Sequence, residues 1–208
     1  KKSSSVYASA GVDIDATMNA LKNAKKLIQS TLTGGAIKSW GSFGGLFKAP
    51  GKDHLLVSSM DGVGTKLKVA TLANRHDTVG QDIVNHCVND ILVQGARPMF
   101  FLDYIGVSKM EPLMIAGVLK GLARACQQNG CALIGGETAE LPGLYPPGEY
   151  DLVGTIIGSV RKKEVITGRS IRAGDVLIGL PSSGCHTNGY TLARHALLEK
   201  AGLGIHDL

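Results

Sequence analysis

Apolar residues recur at helical spacing in some stretches of the chain and in short uninterrupted runs in others, and the two patterns alternate along its length. Over residues 17–32, Met18, Leu21, Leu27, Ile28 and Leu32 fall on one face of a predicted amphipathic helix, with Asp15 or Thr17 placed to cap its start. Over residues 78–93, Ile83, Val84, Cys87, Val88, Ile91 and Leu92 fill an arc of about 180° at the helical step. The opposite arc of that predicted helix carries Asp82, His86, Asn89 and Asp90, all within about 100° of one another. A further helix is predicted over residues 111–129, with Pro112 near its start and Gly130 just past its end. Runs at residues 55–60, 99–105, 131–134, 152–160 and 176–180 read as strands, and residues after Tyr190 as a helix through Lys200.

This order predicts an α+β fold, a mixed and mostly antiparallel sheet covered by helices. Residues 161–170 are charged and polar, and the change of composition there sets a predicted boundary. Residues 1–168 form one domain; residues 169–208 supply one strand and one helix of a second α/β domain, too little for a core of its own.

Composition narrows the function classes. The chain has 208 residues, 44% of them apolar, enough for one full core. Its net charge of +5 comes with scattered lysines and only 5% aromatic residues, a balance that fits a small anionic substrate and gives no nucleic-acid stripe. No run of 18 apolar residues and no signal-peptide pattern occurs, so the expectation is a cytoplasmic protein with no membrane partner. Cys87, Cys126, Cys131 and Cys185 lack Cys-x-x-Cys spacing and read as reduced structural thiols.

Glycine accounts for 28 residues, about twice ordinary usage. The excess gathers beside polar and charged residues, where tight turns and phosphate-cradling backbone are the two readings. Asp61-Gly-Val-Gly-Thr-Lys66 follows a predicted strand, and Asp90 begins Asp-Ile-Leu-Val-Gln-Gly-Ala-Arg-Pro98 where a helical pattern breaks. Carboxylates are the hard oxygen ligands that Mg²⁺ takes one or two at a time beside phosphate oxygens. No Gly-x-x-x-x-Gly-Lys-Ser/Thr loop occurs, so any bound triphosphate depends on carboxylate-held metal. The glycine-rich stretch at residues 34–50, which contains Trp40, Phe43 and Phe47, reads as a loop able to close over a ligand.

These motifs, with Gly135-Gly-Glu-Thr-Ala-Glu140 and Ser182-Ser-Gly-Cys-His-Thr-Asn-Gly-Tyr190, resemble in order the aminoimidazole ribonucleotide synthetases, the phosphoribosylformylglycinamidine cyclo-ligases. Ala10-Gly-Val-Asp-Ile-Asp15, Gly41-Ser-Phe-Gly-Gly-Leu-Phe47, Arg75-His-Asp-Thr78 and Phe100-Phe-Leu-Asp-Tyr104 extend the resemblance over nearly the whole chain. It implies an ATP- and Mg²⁺-dependent ring closure of formylglycinamidine ribonucleotide, in a homodimer whose amino-terminal sheets pair. It also implies Asp61, Asp82 and Asp90 as metal ligands. Gly44, Gly45, Gly62, Gly64, Thr65, Lys66 and Asn89 would then lie at the ATP phosphates, and Gly136, Glu137, Thr138, His186, Thr187 and Asn188 at the substrate. Asp90, Lys66, Glu137 and His186 are the implied catalytic groups, His186 as the proton shuttle nearest neutrality. Met60 departs from the threonine frequent in the family at that place.

Relatives within the same ATP-binding superfamily are the alternatives, with a non-catalytic nucleotide-binding dimerisation module as the alternative of another class. Selenophosphate synthetase would need a reactive cysteine near the start, and none precedes Cys87.

Overall fold

The computed structural model describes residues 36–37, 45–48 and 51–207. The predicted first helix at residues 17–32 and most of the glycine-rich loop, Gly44 included, lie outside the described residues. Strands β1 (Ala36–Ile37), β2 (Gly45–Lys48), β3 (His54–Gly62), β4 (Arg97–Val107), β5 (Ala132–Glu140) and β6 (Tyr150–Arg161) form one sheet in the order β1-β2-β3-β6-β4-β5. All pairings are antiparallel except β4 with β5. That parallel pair is joined by a helical crossover, the connection that parallel strands require.

Helices α1 (Lys66–Leu72) and α2 (Val79–Leu92) connect β3 to β4, and α3 (Pro112–Asn129) connects β4 to β5. Burial alternates strictly along β6, with Leu152, Gly154, Ile156, Gly158 and Val160 turned inward and the intervening residues half-exposed. Val57, Phe101, Ile105, Leu152 and Ile156 from the sheet meet Ile83, Val84, Cys87 and Ile91 of α2 and Val118, Leu122 and Ala125 of α3. Each such branched or aromatic side chain contributes about 1.5–3 kcal/mol of transfer free energy. The other sheet face carries Met60, 65% exposed, and Leu102, 36% exposed.

The mixed, mostly antiparallel sheet and its covering helices agree with the pattern in the sequence, and α2 and α3 begin and end within a residue of the predicted limits. Gly130 ends α3 in the left-handed conformation, φ +66°, as a residue without Cβ permits. Four differences stand out. The Gly135–Glu140 motif, expected at the end of a short strand, lies inside β5, because it pairs in register with Leu102–Val107. Helix α1 was not legible, since only Leu67 and Ala70 of its seven residues are buried and no long apolar period marks it.

Residues 176–180 are not a strand: they pair with no described residue, and Val176, Leu177, Ile178 and Leu180 are 86–97% exposed. A strand without a neighbour leaves its ladder unmade. The predicted terminal helix divides into α4 (Tyr190–Arg194) and a π-helical turn (His195–Lys200).

Cys87, Cys126 and Cys131 are buried free thiols and Cys185 is exposed. Burial pushes the Cys87 thiol up to about 12, and Cys126, beside Cys131, also up to about 12. No helix among the described residues is long and apolar enough to cross a membrane.

The α2–α3 contact depends on two glycines. A Cβ on Gly80 would lie 2.3 Å from the Val118 carbonyl oxygen, and one on Gly121 2.3 Å from that of Asp77. Both obstacles are backbone, which cannot swing aside as a side chain would. Gly121→Ala is therefore expected to destabilise by about 3 kcal/mol, the upper part of the range for overpacking. Urea denaturation measures it; a loss below about 0.5 kcal/mol would show that the helices separate freely.

Candidate functional site

Strand alternation turns Leu55, Val57, Ser59 and Asp61 of β3 toward the helices. Packing of the apolar arc of α2 against the sheet then lays its polar edge along the end of β3. Three consecutive contacts result, each one helical turn from the next. Lys66 Nζ lies 2.7 Å from Asp82 Oδ2. His86 Nε2 lies 2.6 Å from Asp61 Oδ2. Ser59 Oγ donates to Asp90 Oδ2 at 2.7 Å.

Donor atoms of Asp61, His86 and Asp90 all fall within 4.8 Å of one another. Two carboxylates that close repel unless a cation or a proton sits between them. The backbone N–H of Gly62 donates to Asp61 Oδ1 at 2.7 Å, which fixes the carboxylate and leaves Oδ2 turned to the cluster. Hard carboxylate oxygens, each held by a hydrogen bond, fit the donor set of a divalent cation.

The turn after Asp61 reverses the chain into α1, with Gly64 at φ +69°. Here a Cβ would meet no atom within 4 Å, so glycine serves the backbone conformation and leaves open space above the turn. A cavity of about 220 Å³ opens there, lined by Gly64, Thr65, Lys68, Tyr145 and Glu149. Lys68 and Glu149 form an ion pair at its edge.

The segment from Ser182 to Tyr190 docks onto the same region. Thr187, only 3% exposed, donates from Oγ1 to the Asp82 carbonyl at 3.4 Å. Lys66 Nζ donates to the His186 carbonyl at 3.0 Å and sits 5.0 Å above the Tyr190 ring. Thr65 and Thr191 hydroxyls are 2.9 Å apart. Ser182 Oγ lies 2.9 Å from His186 Nε2.

The structure thus brings Asp61, Gly62, Gly64, Thr65, Lys66, Asp82, Asp90, His186 and Thr187 into one region. Asn89 lies on the polar arc of α2 beside Asp82 but is exposed, and Asn188 is exposed in the docked segment. Gly45 belongs to β2, where it pairs with Ser58. Gly136, Glu137 and Thr138 lie on the edge strand β5, with Glu137 opposite Tyr104. The alternation that turns Asp103 inward turns Tyr104 and its partner Glu137 to the other face, away from the Asp61 cluster.

Gly136 has a packing reason of its own. A Cβ there would lie 2.4 Å from the Asp103 carbonyl oxygen and 2.5 Å from its Oδ1. Asp103 itself is 8% exposed, and desolvation raises its carboxyl above the ordinary range. Asp82, counted with the metal ligands in the sequence, faces Lys66, while His86 stands in the cluster instead. The sequence placed His86 on the polar arc but gave it no role; its spacing of four from Asp90 was the available signal. Ser59, inside an apolar run, carried none.

Residues 41–160 match the family described as AIR synthase related protein, N-terminal domain. The chain is 52% identical over 207 residues to a phosphoribosylformylglycinamidine cyclo-ligase of Bacillus pumilus, covering 98% of this chain and 60% of that protein. It is 53% identical over 203 residues to that of Shouchella clausii, covering 96% and 59%. The chain therefore spans about 60% of the length of these curated relatives.

Among solved structures, AaThiL complexed with AMPPCP and TMP superposes with a TM-score of 0.55 at 15% identity, over 68% of this chain and 41% of that one. T. maritima PurL complexed with ADP gives 0.53 at 18% identity, over 73% and 23%. At those identities the likeness is one of fold.

Lys66 is the tie between the acidic cluster and the docked segment. Lys66→Met is expected to raise amide exchange across residues 182–191 about tenfold, the equivalent of one charge-assisted hydrogen bond of about 1.5 kcal/mol. Hydrogen–deuterium exchange reads this directly; unchanged protection would assign the docking to Thr187 and Thr65 alone.

Proposed function

The chain belongs to the family of AIR synthase related proteins, and from that membership we propose that it supplies the ATP- and metal-binding part of a phosphoribosylformylglycinamidine cyclo-ligase. The observation that carries this reading is the convergence of Asp61 and Asp90 beside the Gly62–Thr65 turn. The identity to curated cyclo-ligases across nearly all of this chain supports the specific reaction.

In that reaction the formyl oxygen of formylglycinamidine ribonucleotide attacks the γ-phosphorus of ATP, and ADP leaves. The amidine nitrogen then closes on the activated carbon. Phosphate departs with the former formyl oxygen, and a proton is lost as the imidazole ring of aminoimidazole ribonucleotide forms. Phosphoryl transfer needs little covalent help and much positioning and charge neutralisation. Bound Mg²⁺ would neutralise charge on the β- and γ-phosphates. Asp61 and Asp90 would hold it, and Asp82, paired with Lys66 one helical turn before His86, is assigned to the phosphate side of the same site.

The Gly62–Thr65 backbone and the open space over Gly64 accommodate phosphate oxygens. Gly44, Gly45 and Asn89 are assigned to the same nucleotide. His186, whose Nε2 already has a hydroxyl partner in Ser182, takes the amidine proton. Glu137, Gly136, Thr138, Thr187 and Asn188 are assigned to the phosphoribosyl substrate. Because Glu137 faces away from the Asp61 cluster within one chain, its assignment goes with a homodimer in which the open sheet face meets a second copy. Exposed Met60 and Leu102 on that face support such pairing.

Residues 169–208 are assigned to the start of a second domain. The exposed apolar run Val176–Leu180 supports this assignment, since β-forming residues so exposed become strand only beside further chain. A cytoplasmic setting follows from the proposed role in purine synthesis.

Asp90→Asn removes charge from the cluster at constant volume, and its amide can still accept from Ser59. In the full-length protein it is expected to lower formylglycinamidine-dependent phosphate release from ATP by about 100-fold or more, the scale of one electrostatic contact to a reacting group. The melting temperature is expected to move by no more than about 3 °C. Phosphate release that ignores the formylglycinamidine substrate, in a protein that still binds ATP, would identify a nucleotide-sensing module instead.

A further inference from the structure

We propose that His86 is a metal ligand, so that Asp61, His86 and Asp90 form a mixed nitrogen–oxygen site that selects a transition-metal dication such as Mn²⁺ or Co²⁺ over Mg²⁺. The inference rests on the reading of Asp61 and Asp90 as metal ligands and specifies which ion their site prefers.

Three observations carry it. His86 and Asp90 are four residues apart on α2, so their side chains project from adjacent turns of one face. Asp61 arrives from the end of β3 on the far side, and the three donor atoms span no more than 4.8 Å. Two donors at helical spacing and a third from another element define three positions of a coordination sphere and leave the rest for phosphate oxygens or water, as open catalytic sites require.

The surroundings orient the donors. Asp61 is fixed through Oδ1 by the Gly62 N–H, and Asp90 through Oδ2 by the Ser59 hydroxyl. Each carboxylate keeps one oxygen outside those bonds. His86 Nε2 faces Asp61 Oδ2 at 2.6 Å, the length of a hydrogen bond whose proton a cation would replace. Adjacent donors at about 2.1 Å from an octahedral ion are about 3.0 Å apart. The pair therefore opens by a few tenths of an ångström, which side-chain rotation on a half-buried helix edge accommodates.

The nitrogen donor decides the preference. Mg²⁺ takes oxygen ligands and gains little from imidazole, whereas first-row transition metals bind imidazole with affinity rising from Mn²⁺ toward Cu²⁺. The acids of α2 do not all compete for this ion, because Lys66 holds Asp82. An Asp61–Asp90 pair alone would be a hard oxygen site; His86 changes its class.

The test uses the full-length protein, stripped with chelator, and metal alone as the probe. Mn²⁺ binding is followed by electron paramagnetic resonance, Mg²⁺ by competition, and ligand nitrogen by the ¹⁴N coupling in pulsed spectra of the Mn²⁺ form. Wild-type protein is expected to show directly bonded ¹⁴N. His86→Ala is expected to abolish that coupling and weaken Mn²⁺ by about tenfold or more, taking ligand loss to cost at least what loss of a supporting group costs. Its Mg²⁺ affinity should change less than threefold.

The ¹⁴N measurement on unaltered protein is independent of whether the variant folds. Mn²⁺ bound at this site without ¹⁴N coupling, and equally tightly in His86→Ala, would overturn the proposal and leave His86 as a hydrogen-bond partner of Asp61. In that case the metal reading of Asp61 and Asp90 survives. Binding of neither ion would remove both.

Discussion

The arrangement of this site depends on a single packing constraint, the seating of the apolar arc of α2 on the inward face of β3, β6 and β4. Ile83, Val84, Cys87 and Ile91 are wholly buried there. Their burial fixes the rotation of the helix about its axis, and rotation decides which polar residues face the end of β3. Glycine at two positions of β6 makes the close approach possible. A Cβ on Gly154 would lie 2.2 Å from the Phe101 ring and 2.9 Å from Ile83, and one on Gly158 2.6 Å from both Ile91 and the Arg97 carbonyl. Larger residues there would lift the helix and move His86 and Asp90 away from Asp61.

With the rotation fixed, α2 acts as a ruler. Asp82, His86 and Asp90 are spaced by four, about 6 Å of rise per step. Each step meets a partner from a different segment: Lys66 from α1, Asp61 from the strand end, Ser59 from within the strand. Charge alternates in consequence. Asp82 is neutralised by an ammonium, while Asp61 and Asp90 share a cluster with no lysine or arginine in ion-pair contact among the described residues. Positive charge is therefore already supplied at one end of the ruler and is missing at the other, which is where a cation has most to gain.

Much of this was legible in the sequence because it rests on periodicity. The inward and outward residues of α2, the end of α3 at Gly130, and the delivery of Asp61 by a strand all follow from 3.6- and 2-residue patterns. What escaped depended on contacts between segments far apart in the chain. The strand β5 runs six residues further than its apolar core because backbone pairing with β4 continues through Gly135 and Gly136, and no side-chain pattern records that. Residues 176–180 show the reverse, an apolar pattern with no partner among the described residues. Partner choice among polar groups was equally hidden: the sequence showed Asp82 and His86 on one arc but could not assign Lys66 to the first and Asp61 to the second.

The placement of Lys66 gives the site a physical link between its two halves. Its ammonium is shared by the Asp82 carboxylate, the His186 carbonyl and the Tyr190 ring, and its side chain is 16% exposed. A phosphate arriving over the Gly62–Thr65 turn would compete for the same charge, first with the carbonyl and the ring, because phosphate oxygens are charged and those two partners are not. Any movement of Lys66 toward that phosphate loosens the hold on residues 186–190, while Thr187, nearly buried against Asp82, keeps the segment in place. Phosphate binding over the Gly62–Thr65 turn and the freedom of the segment around His186 then draw on one ammonium, so the two cannot be independent.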